Sequence, residues 1–295
     1  MKQSSQPQAQ KLLEGWHGSL DLEYIYHDGS TQVSYNHARS PLKLQRPFYP
    51  EGPAVCHSLI LHTAGGIVGG DHLSLNFYLN PRAHALITTA TASKIYGGNG
   101  LKAQQMIQVQ VAAGACLEWL PQETIVFNGA VHQQSLRVEL APGATWLGWE
   151  ITRLGRTAKG EKFLAGEWRS HTEIWQQDRP LWIDPQSLKG GAETLNSPHG
   201  LAGQPVIASL AWVGQAVCPE IIDKARLCFG QATRSLETAA EQQGEAGVTD
   251  LQSGLLCRYR GSSTWEARRW FIAVWHLLRM SFLERPACLP RAWPL

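Results

Sequence analysis

The 295-residue sequence has no long apolar run and no excess of charge of one sign. Its most apolar late segment, Trp270–Leu278, is too short and interrupted to span a bilayer, which takes about 20 apolar residues. Lysine and arginine total 26 against 24 aspartate and glutamate, so the net charge of +2 provides no basic surface for nucleic acid. Residues 1–12 are polar and lack the apolar centre of a secretory signal. We therefore expect a cytoplasmic protein with no nucleic-acid or membrane partner and a disordered tail over residues 1–12.

Several motifs of catalysis and cofactor binding are also absent. The chain has no GxSxG nucleophile elbow and no HExxH zinc motif, and none of its six cysteines forms a CxxC pair. Gly155 and Gly160 have the glycine spacing of a phosphate-binding loop, but Glu161 follows them and would repel phosphate. These absences argue against nucleotide binding and nucleophilic hydrolysis, and they predict that the cysteines are buried free thiols.

Glycine, by contrast, is concentrated in His62–His72, which reads HTAGGIVGGDH. The stretch lacks the lysine and hydroxyl of a phosphate loop. Its potential metal ligands would diverge on extended strands, which disfavours a fixed metal cage. We interpret the glycines as residues that allow unusual dihedrals and close strand approach and thereby position Asp71. They are Gly65, Gly66, Gly69 and Gly70.

An internal repeat is the clearest organisation in the sequence. Three units, 73–87, 106–119 and 136–147, each read as an alternating strand, a tight turn and a second strand. Their turns, at Pro81, Ala113 and Pro142, recur after 32 and 29 residues. So short a unit cannot bury its own apolar face, so neighbouring units must stack. The repeat predicts either stacked hairpins in layered, β-helix-like sheets or an ordinary β-sandwich.

The hydrophobic pattern of the sequence changes from strand-like to helical after residue 218. Pro219 opens a helical pattern that extends to Leu236, and Thr264–Leu283 has the pattern of a second amphipathic helix. No linker divides the chain. We predict a mainly β fold with two α-helices in the C-terminal third, forming a single domain over 13–295 with a β-rich core to about 218 and a helix-containing part over 219–295.

Six segments in order along the chain resemble one protein family. They are RPFYPE (Arg46–Glu51), HTAGGIVGGD (His62–Asp71), ASKIY (Ala92–Tyr96), LEWLPQETIVFNGA (Leu117–Ala130), GWEITRLGR (Gly148–Arg156) and PRAW (Pro290–Trp293). From about Leu13 to its C-terminus the sequence resembles the UreD (UreH) urease accessory proteins. The resemblance implies a stacked β-helical fold with two helices and a non-enzymatic maturation role. It also implies a complex with UreF and the GTPase UreG on the urease apoprotein, which delivers nickel into the urease active site.

The resemblance further implies that nickel passes through the protein in transit, with no tightly bound cofactor. Asp71, Glu150 and Asp184 match positions where acids would line such a passage, Asp184 most loosely. Oxygen ligands suit transport, because they hold Ni²⁺ less tightly than clusters of histidine or cysteine. Ser93, Lys94 and Tyr96 match an SKxY element that would line the passage, contact a partner or brace a turn. The chain departs from the family at Thr63-Ala64, often Pro-Pro, and at Gly97-Gly98, where arginine often follows the tyrosine.

A rival hypothesis is suggested by the repeat and the twelve tryptophans. A β-solenoid carbohydrate-binding module or hydrolase could present some of these indoles to a glycan. Most of the tryptophans are expected in the core, with some anchoring partner surfaces.

Overall fold

A computed structural model describes residues 15–98, 100–233 and 244–293 of the chain. The tail predicted over residues 1–12 lies outside the described residues. The strands, in chain order, are β1 (His17–His27), β2 (Ser30–Arg39), β3 (Leu42–Leu44), β4 (Val55–His62), β5 (His72–Leu79), β6 (His84–Thr89), β7 (Ser93–Ile95), β8 (Lys102–Val111), β9 (Cys116–Trp119), β10 (Thr124–Val126), β11 (Val131–Leu140), β12 (Thr145–Leu154), β13 (Glu167–Gln176), β14 (Arg179–Lys189), β15 (Val206–Val213), β16 (Glu245–Leu251) and β17 (Gly254–Gly261). The helices are α1 (Ala192–Asn196), α2 (Pro219–Thr233) and α3 (Thr264–Leu278), with a 3-10 turn at Thr157–Lys159 and a π-helical turn at Arg279–Leu283.

The strands form two facing sheets. Sheet A has the order β14-β13-β11-β8-β5-β1-β2, and sheet B has the order β16-β17-β15-β12-β9-β6-β4-β3. The central strands of each sheet pair in parallel. In sheet A the parallel strands are β1, β5, β8, β11 and β13. In sheet B they are β4, β6, β9 and β12. The chain therefore coils from one sheet to the other, as in a β-helix, and the layered, β-helix-like fold predicted from the sequence is confirmed.

The sequence repeat sets the register between coils. Leu75 pairs with Ile107, and Ile107 pairs with Leu136, so the register steps are 32 and 29 residues, the same as the predicted turn spacing. The two strands of one unit do not pair with each other; β5 lies in sheet A and β6 in sheet B. Each unit is thus an arch that stacks on the corresponding strands of its neighbours.

The apolar core between the sheets follows from alternation along the strands. Leu73, Leu75, Phe77 and Leu79 of β5 all point inward and are buried, while the intervening residues face outward. The turn Ala141–Ala144 allows one such arch, because Gly143 adopts a φ of +76° and the Ala144 N–H donates to the Ala141 carbonyl at 3.0 Å.

The helices cover the other face of sheet B and enclose a second apolar cluster. Helix α3 begins at a capping Ser263, whose hydroxyl accepts from the Glu266 N–H at 3.2 Å. The two predicted helices are confirmed as α2 and α3. The part of the first that reaches Leu236 lies outside the described residues, and the last turn of the second is the π-helical turn. The short α1 was not predicted.

The tryptophans are mainly core residues, as expected. Eight of the twelve are buried: Trp119, Trp146, Trp149, Trp168, Trp212, Trp270, Trp275 and Trp293. Only Trp16 and Trp265 are exposed. All six cysteines are free; Cys56, Cys116 and Cys257 are buried, Cys228 and Cys288 are half-buried, and Cys218 is exposed. No helix among the described residues has the length and apolarity needed to cross a bilayer.

Candidate functional site

The glycine-rich stretch packs against the SKxY element. A Cβ on Gly66 would lie 2.3 Å from Cε2 of Tyr96 and 2.8 Å from the Lys94 carbonyl oxygen, so no larger residue fits there without a shift. The Tyr96 hydroxyl donates to the Gly65 carbonyl at 3.2 Å, and the Ile67 N–H donates to the Lys94 carbonyl at 2.8 Å. Tyr96 and the glycines at 65 and 66 therefore brace one another.

Asp71, after the second pair of glycines, is buried and used by the backbone. Its two carboxylate oxygens accept from the Trp16 N–H at 2.8 Å and from the Val68 N–H at 2.9 Å. Gly70 beside it has a φ of +101°, and a Cβ on Gly15 would meet the Gly70 carbonyl carbon at 2.2 Å. In this conformation Asp71 fixes the close crossing of two chain segments. Its role in a nickel passage stays a prediction.

Two adjoining cavities lie between the sheets on the inner side of this braced loop. The outer cavity has a volume of about 250 Å³ and is lined by Gly65, Gly66, Ser93 and Lys94, among others. The inner cavity has about 30 Å³, enough for one or two water molecules. The residues that line both are Thr89, Ser93, Gln105 and Trp119. The two cavities therefore adjoin at these four side chains, and the inner cavity is the smaller.

A row of polar side chains runs between the sheets from the inner cavity onward. In sheet A its members occupy paired positions on β8, β11, β13 and β14, and in sheet B they occupy paired positions on β12, β15 and β17. The polar row consists of Gln105, Gln134, Ser170 and Gln186 from sheet A and Glu150, Ser209 and Arg258 from sheet B. Directly paired residues share a face, so the strand register places all of these side chains on the sheet faces that are turned toward each other.

Glu150 is the carboxylate at the inner cavity. It accepts hydrogen bonds from Gln134 Nε2 and, at 2.8 Å, from Ser170 Oγ, both across the gap between the sheets. Burial raises the pKa of Glu150; the Ser170 bond and Arg258 oppose the rise, Asp184 adds to it, and the pKa reaches about 7. Glu150 can therefore exchange a proton near neutral pH.

His132 lines the same cavity and makes no hydrogen bond from either ring nitrogen. Burial lowers the pKa of His132 to about 4, so the imidazole is neutral at physiological pH. A neutral imidazole does not repel a cation and offers a nitrogen lone pair to one.

Asp184 ends the polar row. Its Oδ1 accepts from Arg258 Nη2 at 2.6 Å and its Oδ2 accepts from Gln186 Nε2 at 2.7 Å, while Arg258 Nη1 donates to Ser209 Oγ at 3.0 Å. The Asp184 side chain is 10% exposed and that of Arg258 is 40% exposed. The polar row therefore reaches solvent at this ion pair.

The structure brings some of the sequence-predicted site residues together and not others. Glu150 belongs to the polar row, and Asp184 contacts Gln186 and Arg258 at the end of that row. Ser93 and Lys94 line the outer cavity, whereas Asp71 lies in the loop crossing, outside the residues that line these two cavities. Sequence reasoning missed His132, Gln134, Ser170, Ser209 and Arg258. A signal for Gln134 and Ser170 exists in hindsight, because both occupy inward positions of alternating strands that a purely apolar core would fill with aliphatic residues.

Comparisons with known proteins match the chain over almost its whole length. The family model described as UreD urease accessory protein matches residues 17–294. A urease accessory protein UreD from Nostoc punctiforme is 64% identical over 96% of this chain and 98% of its own length. The UreD proteins of Acaryochloris marina and Janthinobacterium sp. are 54% and 38% identical, covering 98% and 93% of this chain and 99% and 90% of their own lengths.

Proposed function

Because the chain belongs to the UreD family of urease accessory proteins, we propose that it is a non-enzymatic scaffold and nickel conduit in urease maturation. In this proposal it binds UreF and the GTPase UreG on the urease apoprotein in the cytoplasm. Nickel is the cargo, held only in transit. The family membership favours this function over the rival carbohydrate module, and the burial of eight of the twelve indoles reduces the aromatic surface that this rival would need.

The observation that supports a conduit most strongly is the polar row between the sheets. A β-helical protein gains stability by filling its interior with apolar side chains, and a buried polar group costs free energy unless it is hydrogen-bonded. Here Glu150, Gln134 and Ser170 satisfy one another beside a cavity that Ser93 also lines. Such a path provides oxygen donors in succession without a closed cage, so a divalent ion can exchange between weak ligands.

The two ends of the path would control entry and exit. At one end Lys94 stands at the rim of the outer cavity. At the other, the Arg258 guanidinium occupies the Asp184 carboxylate, and a cation must displace it to pass. His132, neutral and without a hydrogen bond, would be a nitrogen ligand midway, one that suits nickel better than it suits magnesium or calcium.

Reconstitution tests the scaffold role. The full-length chain is mixed with UreF, UreG and urease apoprotein, and the assembly is isolated and analysed for nickel. We expect a stable complex that contains the chain and a urease whose nickel content depends on it. The proposal would be contradicted if the chain bound none of the three proteins. It would also be contradicted if urease were fully loaded with nickel in the absence of the chain.

A further inference from the structure

Strand register places three metal-ligating side chains together on the helix-facing side of sheet B, opposite to the side that carries the polar row. His84 on β6 pairs directly with Cys116 on β9, and Glu118 lies two residues beyond Cys116 on the same strand. Paired residues and residues two apart on a strand share a face, so the backbone alone sets this triad. One ligand atom from each of the three lies within 4.8 Å of the other two.

The triad is incompletely satisfied by the surrounding protein. Glu118 is fully buried, and neither of its carboxylate oxygens makes a hydrogen bond; His84 Nε2 makes none either. The His84 Nε2 and Arg279 Nε atoms lie 3.6 and 3.1 Å from Glu118 Oε1, as ion-pair contacts without hydrogen-bond geometry. These two neighbours compensate the charge of the buried carboxylate, but neither fills the hydrogen-bonding capacity of its oxygens, which remain able to accept a further ligand.

A second triad nearby provides the contrast. Among the described residues, Glu51, His57 and Cys288 form the other group with metal-ligand spacing. Its carboxylate is already satisfied: Glu51 Oε1 lies 2.7 Å from His57 Nε2, and Oε2 accepts from Arg279 Nη2 at 2.6 Å. A metal ion there would have to break both contacts, so this group is an ordinary buried ion-pair cluster.

We propose that His84, Cys116 and Glu118 form a resident binding site for a divalent transition metal of borderline softness, the class of Zn²⁺, Co²⁺ and Ni²⁺. Imidazole nitrogen, thiolate sulfur and carboxylate oxygen are the ligands that this class prefers, and the fourth position would be taken by water. The His84 side chain is 13% exposed, which gives an ion a route from solvent.

The charges balance when the ion binds. The Cys116 thiol and a protonated His84 release their protons to water, and the two anionic ligands, Cys116 and Glu118, neutralise the doubly charged ion. Arg279 keeps its partner Glu51, and its contact with Glu118 Oε1 would give way to the ion. A site with thiolate and imidazole ligands holds its ion more firmly than the oxygen donors of the passage. The metal would tie β6 to β9 and remain in place, and this proposal is independent of nickel transit.

Cobalt substitution of the purified full-length chain tests the site. Wild type, Cys116→Ala, Cys288→Ala and Cys257→Ala are each loaded with Co²⁺, desalted and examined by absorption spectroscopy and metal analysis. Cys257 is the matched control, because it is also a buried thiol on the helix-facing side of sheet B. We expect a thiolate-to-cobalt charge-transfer band and one retained ion per chain in wild type and in the Cys257 and Cys288 variants, and loss of both in Cys116→Ala.

A second variant guards against misfolding. Glu118→Gln preserves shape and removes the anionic ligand, so it should lose retention while its far-ultraviolet circular dichroism remains native. Zn²⁺ should raise the Tm of wild type by mass action and leave that of Cys116→Ala unchanged. Absence of the band in wild type, its persistence in Cys116→Ala, or its loss in Cys288→Ala would each overturn the proposal.

Discussion

The two faces of sheet B both bury charge, but they use different chemistry. Toward sheet A, Glu150 and Asp184 are held by hydroxyl, amide and guanidinium donors beside a water-sized cavity. Toward the helices, Glu51 and Glu118 lie against Arg279, which is fully buried. The alternation of a β-strand separates these environments by one residue: Trp119 lines the cavities, and Glu118 faces the helices. One sheet thus carries a hydrogen-bonded polar row on the face toward sheet A and a buried ion-pair cluster on the face toward the helices.

The largest predicted effect distinguishes the two faces by stability. Arg279→Met removes the guanidinium that contacts Glu51 and Glu118 and leaves both carboxylates without their buried guanidinium partner, so the free energy of unfolding should fall by about 3–5 kcal/mol. Arg258→Met is the matched change on the passage face. Because solvent screens the half-exposed Arg258, its loss should cost less than about 1 kcal/mol. Urea denaturation of chelator-treated protein measures the unfolding free energy of both variants. Equal losses in the two variants would contradict the proposed difference between the two faces.

Asp71 belongs to neither face, and its replacement tests whether its carboxylate is structural. Asp71→Ala removes the acceptor of the Trp16 and Val68 N–H groups, so the free energy of unfolding should fall by about 2–3 kcal/mol. Asp71→Asn keeps one acceptor oxygen and should lose only about 1 kcal/mol. Denaturation midpoints compare the two variants. Wild-type stability in Asp71→Ala would show that the loop crossing does not depend on this carboxylate.

A smaller effect is expected on the pH dependence of stability, through Glu150 on the side of sheet B that faces sheet A. The pKa of Glu150 is raised in the folded state from 4.5 to about 7, so the folded chain holds a proton that the unfolded chain has released between these values. The Glu150 contribution to stability is therefore present below pH 4.5 and lost as the pH rises through 7. Glu150→Gln should remove this loss and be more stable than wild type at pH 8 by about 1–2 kcal/mol, with little gain at pH 5.

The control for this experiment is Glu139→Gln. Glu139 is an ion-paired carboxylate on the outer face of sheet A, and its replacement should leave the pH dependence of stability unchanged. A difference between Glu150→Gln and wild type that is the same at both pH values would contradict a raised pKa.

Much of the fold could be predicted because the repeat encodes it locally. The turns at Pro81, Ala113 and Pro142 set the coil length, and stacked coils must pair at that spacing, so the register follows from the sequence. The sequence did not distinguish the β-helix-like stack from an ordinary β-sandwich. Alternation along a strand indicates that one face is buried, but it does not indicate which sheet covers that face.

The candidate site was less accessible to sequence reasoning. Glu150 and Asp184 were identified through family resemblance, but their contacts depend on residues far away in the chain, such as Arg258, which is 74 positions from Asp184. Asp71 shows the opposite limit. Its position after the glycines was identifiable, whereas the direction of its carboxylate depends on the close approach of Gly15 and Gly70. The triad of His84, Cys116 and Glu118 needed the pairing of β6 with β9, which no local pattern specifies.

The most direct test of the passage is the nickel content of urease after activation with the double variant Glu150→Gln, Asp184→Asn. Both changes preserve side-chain shape and remove the carboxylate ligands, and Glu139→Gln serves as the control at equal complex assembly. The account predicts that nickel per urease falls at least about tenfold with the double variant, the effect that losing even an outer partner has at metal sites, and stays at the wild-type level with the control. Wild-type nickel loading by an assembled double variant would contradict a route through the space between the two sheets.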